Sequence, residues 1–186
     1  MQSNGSSVLI RALLFATILV TILVVGTATP AWAQVGSWGY TGQIGMLSGT
    51  VDDTAFAVGL VSEYYLAPAF SVGGDLLLSP TGDLTLLSGA ATARWHFDLD
   101  PVEVTPFIGL GLIYADYDHG SGAGRFNADD VGTILPLGLQ VDRRFNENLS
   151  IGGSFALNLT SLDFGGPVGK DKSFTSFMLT LRYRPD

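Results

Sequence analysis

The sequence predicts an all-β protein, an eight-stranded antiparallel up-and-down transmembrane β-barrel that follows a cleavable signal peptide. Large apolar residues alternate with small or polar residues along most of the chain, which is typical of β-strands with two unlike faces. Charged residues make up only 14% of the 186 residues, whereas soluble domains contain about 25%. No stretch beyond the N-terminal segment approaches the roughly 20 apolar residues of a membrane helix. A membrane protein without such helices must close its sheet into a barrel.

The stretch 149–160 shows the alternation most clearly. Its odd positions are large and apolar, interrupted only by Gly153, and its even positions are small or polar. An eight-stranded barrel has an interior just wide enough for side chains to fill. The bulky residues of all the runs together exceed that space, whereas the small residues fit it. We therefore predict that the bulky face points outward to lipid.

The first 33 residues predict a signal peptide, which leaves 34–186 as the barrel domain. Arg11 supplies the positive charge, and an apolar run follows from Ala12 to Gly26. Ala31-Trp32-Ala33 fits the small-x-small rule for cleavage. An uncleaved anchor helix is the alternative.

Eight strand-like runs follow, separated by turn signals rich in Pro, Gly, Asn and Asp. Two runs are irregular: the middle of the fourth consists almost entirely of small residues, and Pro136 interrupts the sixth, where it removes a ladder donor. The longest irregular pieces are expected at 116–130 and 163–172. The predicted runs cover residues 38–47, 54–66, 70–78, 84–97, 105–115, 131–144, 149–160 and 173–184.

Aromatic residues gather near the ends of these runs. If the N-terminus starts in the periplasm, one group lies at the periplasmic rim, and Tyr114 and Phe174 lie at the outer rim. Two such girdles are what a membrane interface favours. The periplasmic group comprises Trp38, Tyr40, Tyr64, Trp95, Phe97 and Tyr183.

Six charged residues fall on the small-residue face, so we predict that they form a polar network in the lumen. A charge inside a barrel must be paired and hydrogen-bonded, and we expect Arg94 and Arg182 to bridge Glu63 and Asp75. A polar plug is favoured over a gated ion path because eight strands leave little room for water. The six residues are Glu63, Asp75, Arg94, Asp142, Arg144 and Arg182.

The closing run alternates up to an aromatic residue near the C-terminus, through Thr175, Phe177, Leu179, Leu181 and Tyr183. In this the chain resembles the small eight-stranded outer-membrane barrels of Gram-negative bacteria, the outer membrane protein A-type and opacity-type family. The resemblance implies that this run is read by the barrel assembly machinery. It also implies residence in the outer membrane, with lipid and lipopolysaccharide as partners. Unlike the family pattern, Arg184-Pro185-Asp186 follow the aromatic. No peptidoglycan-binding domain is seen, so a tethering role is not carried over.

Candidates for catalysis and metal binding are few. His119 and Ser121 resemble part of an outer-membrane lipid A esterase, but a Gly-rich loop would hold them poorly. His96 is expected in the polar core or at its rim. Four aspartates, Asp116, Asp118, Asp129 and Asp130, could gather a divalent cation, although a solvated acidic loop explains them better. We expect no metal and no cofactor.

The charged residues also limit the range of partners. A net charge of −8 argues against nucleic acid. Arg125, Lys170 and Lys172 could meet lipopolysaccharide phosphates. The sequence therefore predicts a structural or surface-interaction role, such as membrane integrity or adhesion to a host or surface ligand through the outer loops. A narrow channel for small or apolar solutes is the alternative.

Overall fold

A computed structural model describes residues 35–50, 53–81, 84–119, 126–163 and 170–185 of the chain. The predicted signal peptide lies outside these residues. The described chain consists of β-strands joined by short connections, and it contains no helix long and apolar enough to cross a membrane.

Nine strands form one sheet that closes on itself. They are β1 (Trp38–Thr50), β2 (Asp53–Ala67), β3 (Phe70–Thr81), β4 (Leu84–Trp95), β5 (Phe97–Leu99), β6 (Val102–His119), β7 (Phe126–Arg144), β8 (Leu149–Asp163) and β9 (Lys170–Tyr183). Each strand pairs antiparallel with its neighbour in sequence, apart from β4 and β5, which follow one another along the same edge of β6.

Closure is made by β1 and β9, which pair from Tyr40↔Tyr183 to Ser48↔Thr175. Strands β4 and β5 are interrupted at His96 but together occupy one strand position in the barrel wall. We call each such position a stave. The barrel therefore has eight staves, as the sequence predicts. We call the end that holds Trp38 and Tyr183 the terminal end, and the opposite end, which holds Thr50 and Leu84, the loop end.

The bulky face of each stave is exposed, as predicted. Along β9 the odd residues 177, 179, 181 and 183 are exposed, whereas the even residues from Phe174 to Arg182 are buried. The same alternation separates exposed Ile44 and Met46 of β1 from buried Thr41 and Leu47. A surface of this kind is stable in hydrocarbon and unfavourable in water.

The strands are longer than the sequence patterns indicate. The pieces 116–130 and 163–172 were expected to be irregular, but β6 continues to His119, β7 begins at Phe126, β8 continues to Asp163 and β9 begins at Lys170. Asp116 pairs with Asp129 in register, so cross-strand hydrogen bonding outweighs the low strand propensity of aspartate. The gap between the predicted runs 84–97 and 105–115 is also shorter, since only Asp100-Pro101 separates β5 from β6.

The interior departs from the expectation that small residues fill it throughout. Near the loop end the lumen holds a cluster of large buried apolar side chains. We call it the apolar plug: Leu47, Ala57, Leu84, Leu86, Ile113, Ala115, Ile134, Leu162, Phe174 and Met178. Phe174, expected at the outer rim, is buried inside the barrel instead. Its even position gives it the inward orientation that Ser176 and Met178 share.

Candidate functional site

The candidate site is a group of buried ionisable side chains in the terminal half of the lumen. We call it the charged cluster: Glu63, His96, Glu103, Asp142, Arg182 and Arg184. Five staves contribute to it, because the alternation turns every second residue of each stave toward the same narrow space.

Arg182 lies at the centre of the charged cluster and is 1% exposed. Its Nη1 donates to Glu103. Its Nη2 lies 3.0 Å from Asp142 Oδ2, and its Nε lies 3.4 Å from Glu63 Oε1. One guanidinium therefore compensates three buried carboxylates on three different staves.

His96 joins the charged cluster to its neighbours through both ring nitrogens. Its Nδ1 lies 3.0 Å from Glu103 Oε1, and its Nε2 lies 2.8 Å from Ser71 Oγ. Ser71 Oγ in turn donates to Glu63 Oε2 at 3.0 Å, and the Tyr65 hydroxyl donates to Glu63 Oε1 at 2.9 Å. His96 is a polar-core residue, and its contacts are structural, since the ring is buried and packs against Tyr65.

Arg94 forms a second centre beside the charged cluster. Its Nη2 donates to Asp75 Oδ2 at 2.5 Å, and its Nη1 donates to Gln140 Oε1 at 3.1 Å. The guanidinium also stacks over the Phe107 ring, 4.6 Å from the centroid. Thr92 donates to the other oxygen of Asp75 at 2.9 Å. The expected pairs are thus formed separately: Arg94 with Asp75, and Arg182 with Glu63.

Arg184, the residue after the closing strand, turns back into the mouth of the barrel. Its Nη2 donates to both oxygens of Glu103, at 2.6 and 2.8 Å, and its Nε donates to the Tyr65 hydroxyl at 2.8 Å. Burial and the neighbouring Arg182 act to lower the pKa of Arg184, but the Glu103 carboxylate outweighs them and the pKa is raised. The departure from the family ending therefore contributes to the closure of the lumen.

Arg144 is the one expected network residue that lies apart from the others. Its Nη2 donates to Asp98 Oδ2 at 2.9 Å, and its Nη1 lies 3.7 Å from Asp100 Oδ1. Both carboxylates belong to β5 and the turn that follows it, so this pair closes the rim of the terminal end rather than the lumen.

The lumen is closed at two levels. The charged cluster fills its terminal half and the apolar plug fills its loop half. Between them lies a cavity of about 50 Å³, whose mixed lining includes the polar residues Gln43, Asp75 and Asn158. Such a cavity has room for a few water molecules. The side chains on both sides of this cavity, such as Arg182 in the charged cluster and Leu47 in the apolar plug, are fully buried.

The aromatic residues lie at the outer surface as their positions indicate. Trp38 packs against Tyr64 with ring centroids 5.2 Å apart, and Phe70 packs against Trp95 at 5.3 Å. Tyr40, Tyr114 and Tyr183 are exposed, and Phe97 is half-buried. On the closing strand, Thr175, Phe177, Leu179, Leu181 and Tyr183 all share the outward face.

Glu103, Tyr65 and Arg184 are site residues that were not expected. Glu103 falls between two predicted runs, and Arg184 is the last residue of the predicted closing run but was not expected in the lumen. The alternation of faces could have identified Glu103 and Arg184 as inward residues. Residues two apart on a strand share a face, so Glu103 lies on the face of Thr105, and Arg184 lies on the face of Arg182.

The remaining candidates for chemistry gain no support from the geometry. Ser121 and Arg125 lie outside the described residues, as do the side chains of Asp118, His119, Lys170 and Lys172. The backbone of His119 ends β6 rather than lying in a loop. Within the part of the chain that the structure describes, no three acidic or histidine residues are placed to hold a metal ion.

Comparison with solved structures identifies barrels of the same architecture. Neisserial surface protein A matches with a TM-score of 0.61 at 16% identity, covering 81% of this chain and 97% of that one. The N-terminal barrel domain of Pseudomonas aeruginosa OprF matches with a TM-score of 0.55 at 14% identity, covering 81% and 99%. Ail, the attachment invasion locus protein of Yersinia pestis, matches with a TM-score of 0.54 at 17% identity, covering 82% and 100%.

The sequence comparisons are negative. No family model matches the chain, and no curated protein matches it. The structural matches show that the chain has the fold of the small eight-stranded outer-membrane β-barrels of Gram-negative bacteria.

Proposed function

We propose that this chain, which has the fold of the small outer-membrane barrels, resides in the outer membrane of a Gram-negative bacterium and acts there as a closed barrel. Its role is structural or one of surface interaction, such as membrane integrity or adhesion, and it is not an enzyme. The observation that carries this proposal is the double closure of the lumen, by the charged cluster and by the apolar plug.

The orientation follows from the connections. Short turns lie on the periplasmic side of outer-membrane barrels, and longer loops lie outside. At the terminal end two residues separate β2 from β3 and four separate β7 from β8; at the loop end two separate β1 from β2 and β3 from β4, but six separate β6 from β7 and β8 from β9, so both of the longest connections lie at the loop end. We therefore place the terminal end in the periplasm and the loop end at the cell surface, where lipopolysaccharide and external ligands are the available partners. The outward alternation of β9 supports its use by the barrel assembly machinery.

A surface role is supported by one structural neighbour. The name of Ail describes an attachment and invasion protein, and Ail has been solved in complex with the heparin analogue sucrose octasulfate. We do not extend a sulfated ligand to this chain. In the part of the strands whose side chains are described, the charged outward residues near the loop end are Asp116 and Asp129, which would repel sulfate groups.

Electrical recording tests this proposal. The purified protein, reconstituted into a planar bilayer, is expected to give no steady single-channel current, because the charged cluster and the apolar plug close the lumen on both sides of a cavity of about 50 Å³. A porin reconstituted in the same way serves as the positive control, and heat-modifiable gel mobility verifies that the barrel is folded. Steady currents that change in Arg94→Gln or Glu63→Gln would contradict the proposal and favour the narrow channel.

A further inference from the structure

The outer surface carries one basic side chain in a setting that is otherwise uncharged. Arg143 is exposed near the terminal end of β7, on the outward face with Val141 and Leu139. Its neighbours in register are Val102 and Ile151. In the part of the strands whose side chains are described, Arg143 is the only basic residue on the outward face.

Two carboxylates near this rim are engaged elsewhere. Asp98 and Asp100 lie against Arg144. The side chain of Arg144 points to the opposite face of β7 from that of Arg143. No carboxylate among the described residues forms an ion pair with Arg143. A guanidinium at the edge of a lipid-facing surface extends toward the interface, where phosphate groups are available to it.

An apolar groove lies next to Arg143 on the same outer surface. It has a volume of about 750 Å³ and its lining includes Leu139, Val141, Gly153 and Leu179. Gly153 forms the floor, since it lies in register between Val141 and Leu179. A Cβ built on Gly153 would come no closer than 3.4 Å to another atom, the Met178 carbonyl oxygen. The groove is therefore open at this point because Gly153 has no side chain.

The groove crosses the strands from β7 to β2, and Arg143 lies beside its β7 end. Phe155 and Phe177, with ring centroids 4.9 Å apart, bound the groove on the side toward the loop end. Arg143 lies two residues beyond Val141 toward the terminal end, a rise of about 6.7 Å along the strand. An acyl chain lying over Gly153 would thus place its headgroup at the level of Arg143.

We propose that this surface is a binding site for one glycerophospholipid of the periplasmic leaflet, whose acyl chain occupies the groove over Gly153 and whose phosphate pairs with Arg143. Charge complementarity selects a phosphate-bearing lipid. The assignment to the periplasmic leaflet rests on the orientation given under the proposed function.

A second groove provides a matched control. It is lined by residues of β1 to β4, β6 and β7, has a volume of about 890 Å³ and has Gly74 in its lining. A Cβ on Gly74 would meet nothing within 4 Å. No basic residue lines this groove, so filling it should leave the retention of a phosphate-bearing lipid unchanged.

Native mass spectrometry of the detergent-purified protein, titrated with phosphatidylglycerol, tests the proposal. We expect a one-lipid adduct in the wild type, about fivefold weaker binding in Arg143→Gln, and near wild-type binding in Arg143→Lys, since one basic residue near a membrane surface has an effect of this size. Gly153→Leu should weaken the adduct as well, whereas Gly74→Leu should not. Diacylglycerol, which lacks the phosphate, should bind equally to the wild type and to Arg143→Gln.

Three results would overturn the proposal: unchanged phosphatidylglycerol binding in Arg143→Gln, equal losses in Gly153→Leu and Gly74→Leu, or, when the titration is repeated with lipid A, an Arg143-dependent preference for lipid A. The last would place Arg143 in the outer leaflet. Heat-modifiable mobility of each variant in the membrane fraction is measured separately. If the wild type lacks it, the proposed function and this site both fail; if it persists and the titration fails, only the lipid site is lost.

Discussion

Arg182→Gln is expected to lower the free energy of unfolding by about 3–5 kcal/mol, because it leaves buried carboxylates without their compensating charge. Glu63, Glu103 and Asp142 all lie within ion-pair distance of this guanidinium, and Arg182 itself is 1% exposed. Arg184 compensates Glu103 in part, but Asp142 has no second arginine among the ion pairs of the described residues.

Urea unfolding of the barrel in lipid vesicles, followed by tryptophan fluorescence, measures this change through the shift in midpoint. Arg143→Gln removes the same charge from the outer surface of the same barrel and should shift the stability by less than about 1 kcal/mol. A loss in Arg182→Gln as small as that of Arg143→Gln would show that the charged cluster does not stabilise the barrel. A cycle that combines Arg182→Gln with Glu103→Gln would give the coupling between the two groups.

The second large effect is expected at the middle of the outer surface. Leu110 is 64% exposed and pairs with Ala91 of β4, near the centre of each strand. Leu110→Arg should therefore destabilise the barrel by about 2–4 kcal/mol, the range for an arginine at the bilayer midplane.

The same substitution at a residue near the membrane interface provides the control for this variant. Leu99 is exposed to a similar degree, 64%, but lies at the end of β5 beside the terminal rim. Leu99→Arg should destabilise the barrel by no more than about 1 kcal/mol, because a charge near the interface reaches water. The same vesicle unfolding measurement applies to both variants. Equal effects at the two positions would mean that the exposed band does not lie in hydrocarbon.

The fold could be predicted because period-two alternation and barrel volume are properties of the sequence. Once a face carries more bulk than an eight-stranded interior can hold, its outward direction follows. The same reasoning placed Glu63, Asp75, Arg94, Asp142 and Arg182 on the inward face, and the structure shows all five side chains there.

The strand ends and the loop half of the lumen could not be predicted in the same way. In Leu84-Thr85-Leu86-Leu87 three leucines occur within four residues, so bulk alone does not distinguish the two faces, and the structure shows that Leu84 and Leu86 point inward while Leu87 points outward. The extension of β6 and β7 depends on pairing between Asp116 and Asp129, which local propensity opposes. Sequence patterns do not reveal such pairing, because it depends on the partner strand rather than on the residue itself.

The central claim is that the bulky residues of each stave face lipid and the alternate residues face the lumen. The natural chain has no cysteine, so single cysteines along β9, at positions 176 to 181, can each carry a fluorophore in vesicles that contain brominated lipid. The account predicts strong quenching at 177, 179 and 181 and weak quenching at 176, 178 and 180. The opposite alternation, or uniform quenching along the strand, would contradict it.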